Sequence, residues 1–176
     1  MIDSLITSKT RIKILLRFFL NSQTTGYLRN LENEFGESTN SIRVELNKLE
    51  NAGFLKSSIE GNKKLFFANT SHPLFADINN ILKKVIGIDK IIELIISKIE
   101  NIEATYLVGK LAEGKESDQI ELAFIGNNIN NDYIDSLILK ARDLISRKIE
   151  YSVFAEQEMK TKFINKPVLL IWDSKT

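Results

Sequence analysis

Two groups of residues in this 176-residue chain have the types and spacing to do chemistry. The first is Ser38-Thr39-Asn40-Ser41, followed by Arg43, Asn47 and Lys48, with Gly61-Asn62-Lys63-Lys64 further along. Short hydroxyls and amides hydrogen-bond to base edges, an arginine can take two acceptors at once, and ammonium groups neutralise phosphates. The second is Gly109-Lys110 and Gly114-Lys115, a loop with two glycines and two ammonium groups that could bind a phosphate-bearing ligand without a metal. Each group also has a plain structural meaning. Ser38-Thr39-Asn40 could simply cap a helix, Asn47 and Lys48 could be ordinary exposed helix, and Lys63-Lys64 could be a solvated turn that protects a sheet edge. Gly109…Gly114 could be an ordinary strand–loop turn.

Composition removes many other chemistries. There is no cysteine, so disulfides, zinc–thiolate sites, iron–sulfur clusters and thiol nucleophiles are excluded. One histidine, His72, excludes any site that needs two, and its place before Pro73 reads as a cap or packing group. The chain is 43% hydrophobic and 27% charged, enough to bury a core and stay soluble. No apolar run approaches the ~20 residues needed to span a bilayer. The mixed charged and apolar start, MIDSLITSKTRIK, does not read as a leader peptide, so a cytoplasmic location is expected. The net charge of +1 hides an asymmetry: residues 1–87 hold 12 Lys+Arg against 8 Asp+Glu, net +4, and residues 88–176 hold 12 against 15, net −3. A basic first half is a hint of nucleic-acid contact there.

The elements that must position the first group follow from periodicity. Ser8 or Thr10 can cap a helix through Leu20, with Ile12, Leu15, Leu16, Phe19 and Leu20 recurring at three and four. After the polar break Asn21–Gly26, Tyr27, Leu28, Leu31 and Phe35 mark a short helix that stops at Gly36. A third helix carries Ile42, Leu46, Leu49 and Ala52 and ends at Gly53. Phe54–Ile59 and Lys64–Ala68 flank a Gly-containing turn and predict a β-hairpin. Helices are expected from His72 to Val85 and from Ile88 to Ile99. The second half reads strand, strand, helix, strand, strand: Ala104–Val108, Ile120–Ile125, Tyr133–Arg147, Ile149–Phe154 and Val168–Trp172.

Helix, helix, turn, helix, hairpin is the order of a winged helix-turn-helix. The third helix would lie in a major groove with Ser38, Thr39, Asn40, Ser41 and Arg43 toward base edges, and Asn47 and Lys48 further along. The tip Asn62-Lys63-Lys64 would reach a flanking phosphate or the minor groove. Lys9, Arg11 and Arg29 are further phosphate candidates. Glu37, Glu45, Glu50 and Glu60 lie close in sequence and work against a smooth basic face.

Thr10-Arg11-Ile12-Lys13-Ile14-Leu15, Tyr27-Leu28-Arg29-Asn30-Leu31 and Ser41–Leu55 resemble the arsenic-repressor and multidrug-regulator type of winged helix. The stretch Leu49–Leu55 matches the leucine, Ala-Gly and paired-hydrophobic exit from the recognition helix into the wing. The resemblance covers about residues 8–70 and implies a dimeric, sequence-specific transcription factor. It does not imply metal sensing, because a chain without cysteine and with one histidine cannot build a thiolate or multi-histidine site.

Residues 104–126 resemble the small, antitoxin-like branch of the nucleotidyltransferase fold: a strand into Gly109, a second glycine at Gly114, then a second strand. That chemistry needs two carboxylates two apart on the strand, both on one face, to hold Mg²⁺. If Glu121 takes the second position, Gln119 takes the first. Asp118 lies three from Glu121 and would project to the opposite face. Lys110 stands where the family has a phosphate-contacting serine. Glu150 is the candidate for the third carboxylate.

The expected fold is α+β in two domains. A winged helix-turn-helix spans 1–75, and a helical linker, able to carry the dimer contact, spans 76–100. A small α/β nucleotidyltransferase-like domain without activity spans 101–176. The expected function is a dimeric, sequence-specific transcriptional regulator on double-stranded DNA. It needs no metal, cofactor, membrane or catalytic residue, and its second domain senses or dimerises. Two alternatives stay open: a metal-dependent nucleotidyltransferase with an attached winged helix, and a protein–protein adaptor.

Overall fold

Ser8 starts the first helix by accepting the Arg11 backbone N–H on its hydroxyl at 3.2 Å. The computed structural model describes residues 6–175. Met1–Leu5 and Thr176, including the first part of the stretch read above as no leader and the outer ends of both terminal domains, lie outside the described residues. Helix α1 (Lys9–Leu15) continues into a π-helical turn, Leu16–Leu20. Phe18, Phe19 and Leu20 are consecutive and all buried, which one α-helical stripe would not accommodate. Strand β1 (Thr25–Tyr27) leads directly into α2 (Leu28–Phe35), which ends at Gly36 with φ +61. Helix α3 (Thr39–Asn51) is capped by Ser38 and buries Ile42 and Leu46 on its inner side.

Strands β2 (Leu55–Glu60) and β3 (Lys63–Ala68) form the hairpin around the two-residue turn Gly61-Asn62, with Gly61 at φ +62. The sheet order is β1-β3-β2, antiparallel throughout. Helix α4 (Phe75–Ile86) follows, and its Asn79 amide donates to the Phe19 and Leu20 carbonyls at 2.6 and 3.0 Å. Those acceptors are left open where the helix ends, so the side chain satisfies a buried helix terminus.

The second part is built on a four-stranded sheet in the order β6-β5-β4-β7. Helix α5 (Ile88–Leu94) and a 3₁₀ turn at Ile96–Lys98 precede it. Then come β4 (Ile102–Val108), α6 (Gly109–Ala112), β5 (Gln119–Gly126), α7 (Asn131–Ala141), β6 (Lys148–Phe154), α8 (Glu156–Lys162) and β7 (Leu169–Asp173). Strands β5 and β6 are parallel, joined through α7, and the other pairs are antiparallel. Leu122 to Ile125 are all buried, as in a strand covered on both faces. Met159 of α8 packs with Val108, Ala123, Ile125 and Phe154 on one of them.

The fold is α+β, in two compact units: residues 1–82 with 114–116, and residues 83–113 with 117–176. The division falls inside α4, so the stretch 76–100 is shared between the units. Four features lie outside the pattern read from the sequence: β1, the π-helical turn, α6 and α8.

Candidate nucleic-acid interface

Ser38 sets the start of α3, its hydroxyl accepting the Ser41 N–H at 3.2 Å and lying 2.8 Å from the Ser41 hydroxyl. With Ile42 and Leu46 anchored inward, the helical period turns Asn40, Arg43 and Asn47 outward, and all three are exposed. Seven of the eleven expected contact residues converge: Arg29, Thr39, Arg43, Asn47, Asn62, Lys63 and Lys64 line one groove of about 620 Å³. Residues Tyr27, Leu28 and Phe66, which sequence reasoning did not place there, form its apolar wall, and Glu32 is its acidic member. In the sequence Tyr27 and Leu28 read as the inward side of a short helix and Phe66 as part of an apolar strand, so all three read as core. Ser38, Asn40, Ser41 and Lys48 are exposed and lie outside that groove.

The cations divide into paired and unpaired. Arg11 donates through Nε to Glu45 at 2.8 Å and through a second nitrogen at 3.3 Å, so its guanidinium is engaged within the protein rather than presented to phosphate. Lys48 Nζ lies 3.7 Å from the same carboxylate. Burial alone would push the Glu45 carboxyl up, but the hydrogen bonds and charge of Arg11, with Lys48 and Ser8, hold it below the usual range. Lys64 Nζ is 2.6 Å from Glu50, which also accepts the Ser57 hydroxyl at 2.5 Å. Those two hydrogen bonds, Lys64 first, hold the Glu50 carboxyl low. Tyr27 donates its hydroxyl to Glu60, which raises the phenol. Lys63 overlies the Tyr27 ring at 5.7 Å. Arg29 and Arg43 form no ion pair among the described residues, and Lys9 is exposed. His72 accepts the Leu74 N–H on Nδ1 at 3.2 Å and packs 4.1 Å from the Phe54 ring.

The second unit has its own cavity, of about 430 Å³. Gly109, Glu113, Glu121 and Glu150 line it, with Lys162 and Lys166 from α8 and just beyond. Gly109 has φ +66, and a Cβ there would fall 2.0 Å from the Glu121 carboxylate, so only glycine lets that side chain lie across the turn. Glu121 and Glu150 are register partners in the parallel pair and therefore share a face. Gln119 donates its amide to Glu150 at 3.4 Å, and Lys148 Nζ lies 2.6 Å from the same oxygen. Asp118 precedes β5, where its carbonyl accepts the Lys148 N–H. Lys110, Gly114 and Lys115, expected to act with Gly109, are not among the residues lining this cavity.

The donor set does not fit the Mg²⁺ that a transferase fold implies. The residue two before Glu121 on β5 is an amide, Gln119, and the Glu150 carboxylate is already bonded by that amide and by the Lys148 ammonium. Among the described residues, no group of three or more His, Cys, Asp or Glu side chains is placed to hold a metal ion.

No protein-family model matches the sequence, and no curated relative matches it. Solved structures align with about half of the chain. Reduced HlyU from Vibrio cholerae is 13% identical, covering 48% of this chain and 83% of its own, with a TM-score of 0.38. A candidate nucleotidyltransferase from Sulfolobus solfataricus is 20% identical, covering 55% and 88%, with a TM-score of 0.38. A toxin–antitoxin structure with AMP-PNP is 17% identical, covering 51% and 75%, with a TM-score of 0.41. At these values function has to be read from the chain's own geometry.

Proposed function

We propose that this protein is a sequence-specific transcriptional regulator of double-stranded DNA, acting as a homodimer. The observation that carries the reading is the outer flank of α3. Its Asn40, Arg43 and Asn47 are exposed and their side chains make no hydrogen bond or ion pair among the described residues, and it faces the lysine-bearing hairpin across a groove lined by Arg29, Arg43, Lys63 and Lys64. A helix of 13 residues fits the major groove. Arg43 and Asn47 then meet base edges, with Thr39, Asn40 and Ser41 at the entering end, while Arg29 and the hairpin meet the backbone. A two-fold operator asks for a two-fold protein, and the half-exposed Leu74 and Ile81 on and beside α4 offer apolar surface for it.

The second unit acts as a sensor or dimerisation body rather than a transferase, a reading supported by Gln119 standing two residues before Glu121 and by the Glu150 carboxylate being already engaged by Gln119 and Lys148. A metal-dependent nucleotidyltransferase is the second reading, supported by Glu121 and Glu150 sharing one cavity with the Gly109 turn. Fluorescence anisotropy of the full-length chain with labelled mixed-sequence duplex tests the first reading. Binding should weaken steeply as salt rises, by a slope of about −0.9 per phosphate neutralised. Absence of binding at low salt contradicts it. Transfer of a labelled nucleotide that depends on Mg²⁺ would establish the second.

A further inference from the structure

The two wing lysines are adjacent in sequence and unlike in chemistry. Lys63 is exposed, and its ammonium meets the face of Tyr27 and no carboxylate among the described residues. Lys64 is held 2.6 Å from one oxygen of Glu50 and 5.0 Å from the centre of the Phe66 ring. The other Glu50 oxygen accepts the Ser57 hydroxyl at 2.5 Å. Ser57 belongs to β2, Lys64 to β3 and Glu50 to the last turn of α3. One partly buried carboxylate at the end of the recognition helix therefore grips both strands of the hairpin.

We infer that Glu50 is a positioning residue for DNA recognition: it clamps the wing to α3 and withdraws Lys64 from phosphate contact, leaving Lys63 as the wing's phosphate-binding ammonium. This rests on the duplex-binding reading and changes the expectation that both lysines touch DNA. An ammonium already held by a carboxylate must give that up to take a phosphate, so it adds little to counterion release. The clamp in turn fixes how far the hairpin tip stands from the exposed flank of α3.

The full-length protein tests this in two ways. In a salt series with mixed-sequence duplex, Lys63→Met should reduce the slope of log affinity on log salt by about 0.9 per protomer. Lys64→Met should leave that slope unchanged. Glu50→Gln keeps a hydrogen-bond acceptor for Ser57 but lacks the charge that holds Lys64. It should steepen the slope by up to about 0.9 and lower the ratio of preferred to mixed-sequence affinity. Equal loss of slope in Lys63→Met and Lys64→Met overturns the assignment. Amine acetylation read by mass spectrometry needs no DNA. Lys64 should react more slowly than Lys63 in the wild type and at a similar rate in Glu50→Gln. Equal rates in the wild type overturn the clamp. A wild type that binds no duplex overturns the regulator reading and the DNA role of Glu50, while the labelling contrast separately decides the clamp.

Discussion

Glu45 is buried, and its carboxylate accepts from Arg11 and Ser8 and lies 3.7 Å from the Lys48 ammonium. It lies on the inner flank of α3, so the pair ties the candidate recognition helix to α1. Arg11→Ala leaves that carboxylate without its main partner and should cost about 2 kcal/mol, read as a lower urea midpoint. The pH dependence has a definite sign. Glu45 and Glu50 are both held below the ordinary carboxylate range, so their stabilisation is present above the unfolded-state value near 4.3 and is lost as pH falls through the folded value. Melting temperature should therefore drop on acidification below about pH 4.3, and Glu45→Gln should flatten that drop. An acid profile identical in wild type and Glu45→Gln would remove Glu45 from the account. None of these pairings could be read from the sequence. Residues 34 apart (Arg11 and Glu45) or 14 apart (Glu50 and Lys64) meet only through tertiary packing. For the same reason Arg11 looked like a phosphate contact until its partner was visible.

Elements were legible wherever one periodicity and one terminator agreed. Ser38 and Gly53 bracket α3 as its cap chemistry requires, and the Gly61-Asn62 turn sets the hairpin register that pairs Glu60 with Lys63. Strand β1 was hidden because three residues carry no period, and α8 because KTK and EQE around Met159 look like solvated loop. The cap has a measurable share of the site. Ser38→Ala should lower stability by about 1 kcal/mol, with duplex affinity lost only as far as α3 frays. A loss of affinity with unchanged stability would make Ser38 a direct contact instead. In the second unit, Gly126 ends β5 where a Cβ would stand 2.0 Å from the Asn101 carbonyl. Gly126→Ala should destabilise the protein by about 1–3 kcal/mol, because backbone and not a mobile side chain must move. An unchanged unfolding midpoint would show that the β4–β5 end is looser than its packing implies.

At the scale of the whole molecule, the charge asymmetry seen in the sequence coincides with two different cavities. The basic first half holds the groove, and the acidic second half holds a cavity whose glutamates are partly neutralised by Lys148 and faced by Lys162 and Lys166. The order of strands and helices disclosed both architectures. Whether Gln119 and Lys148 meet Glu150 was invisible, since it depends on the parallel register of β5 and β6. With that donor set, nucleoside triphosphate and Mg²⁺ together should leave the melting temperature unchanged. A Mg²⁺-dependent rise would restore the transferase reading. Among the described residues no helix is long and apolar enough to cross a membrane.

The central claim is that the exposed flank of α3 reads base sequence. Selection of duplexes from genomic fragments by the full-length protein, in parallel with Arg43→Ala, tests it most directly. The wild type should enrich one motif, and Arg43→Ala should lose about 1–3 kcal/mol at one position of that motif while keeping its salt-dependent binding to other duplexes. Enrichment of no sequence by the wild type, or of the same motif with the same affinity by Arg43→Ala, would contradict the claim.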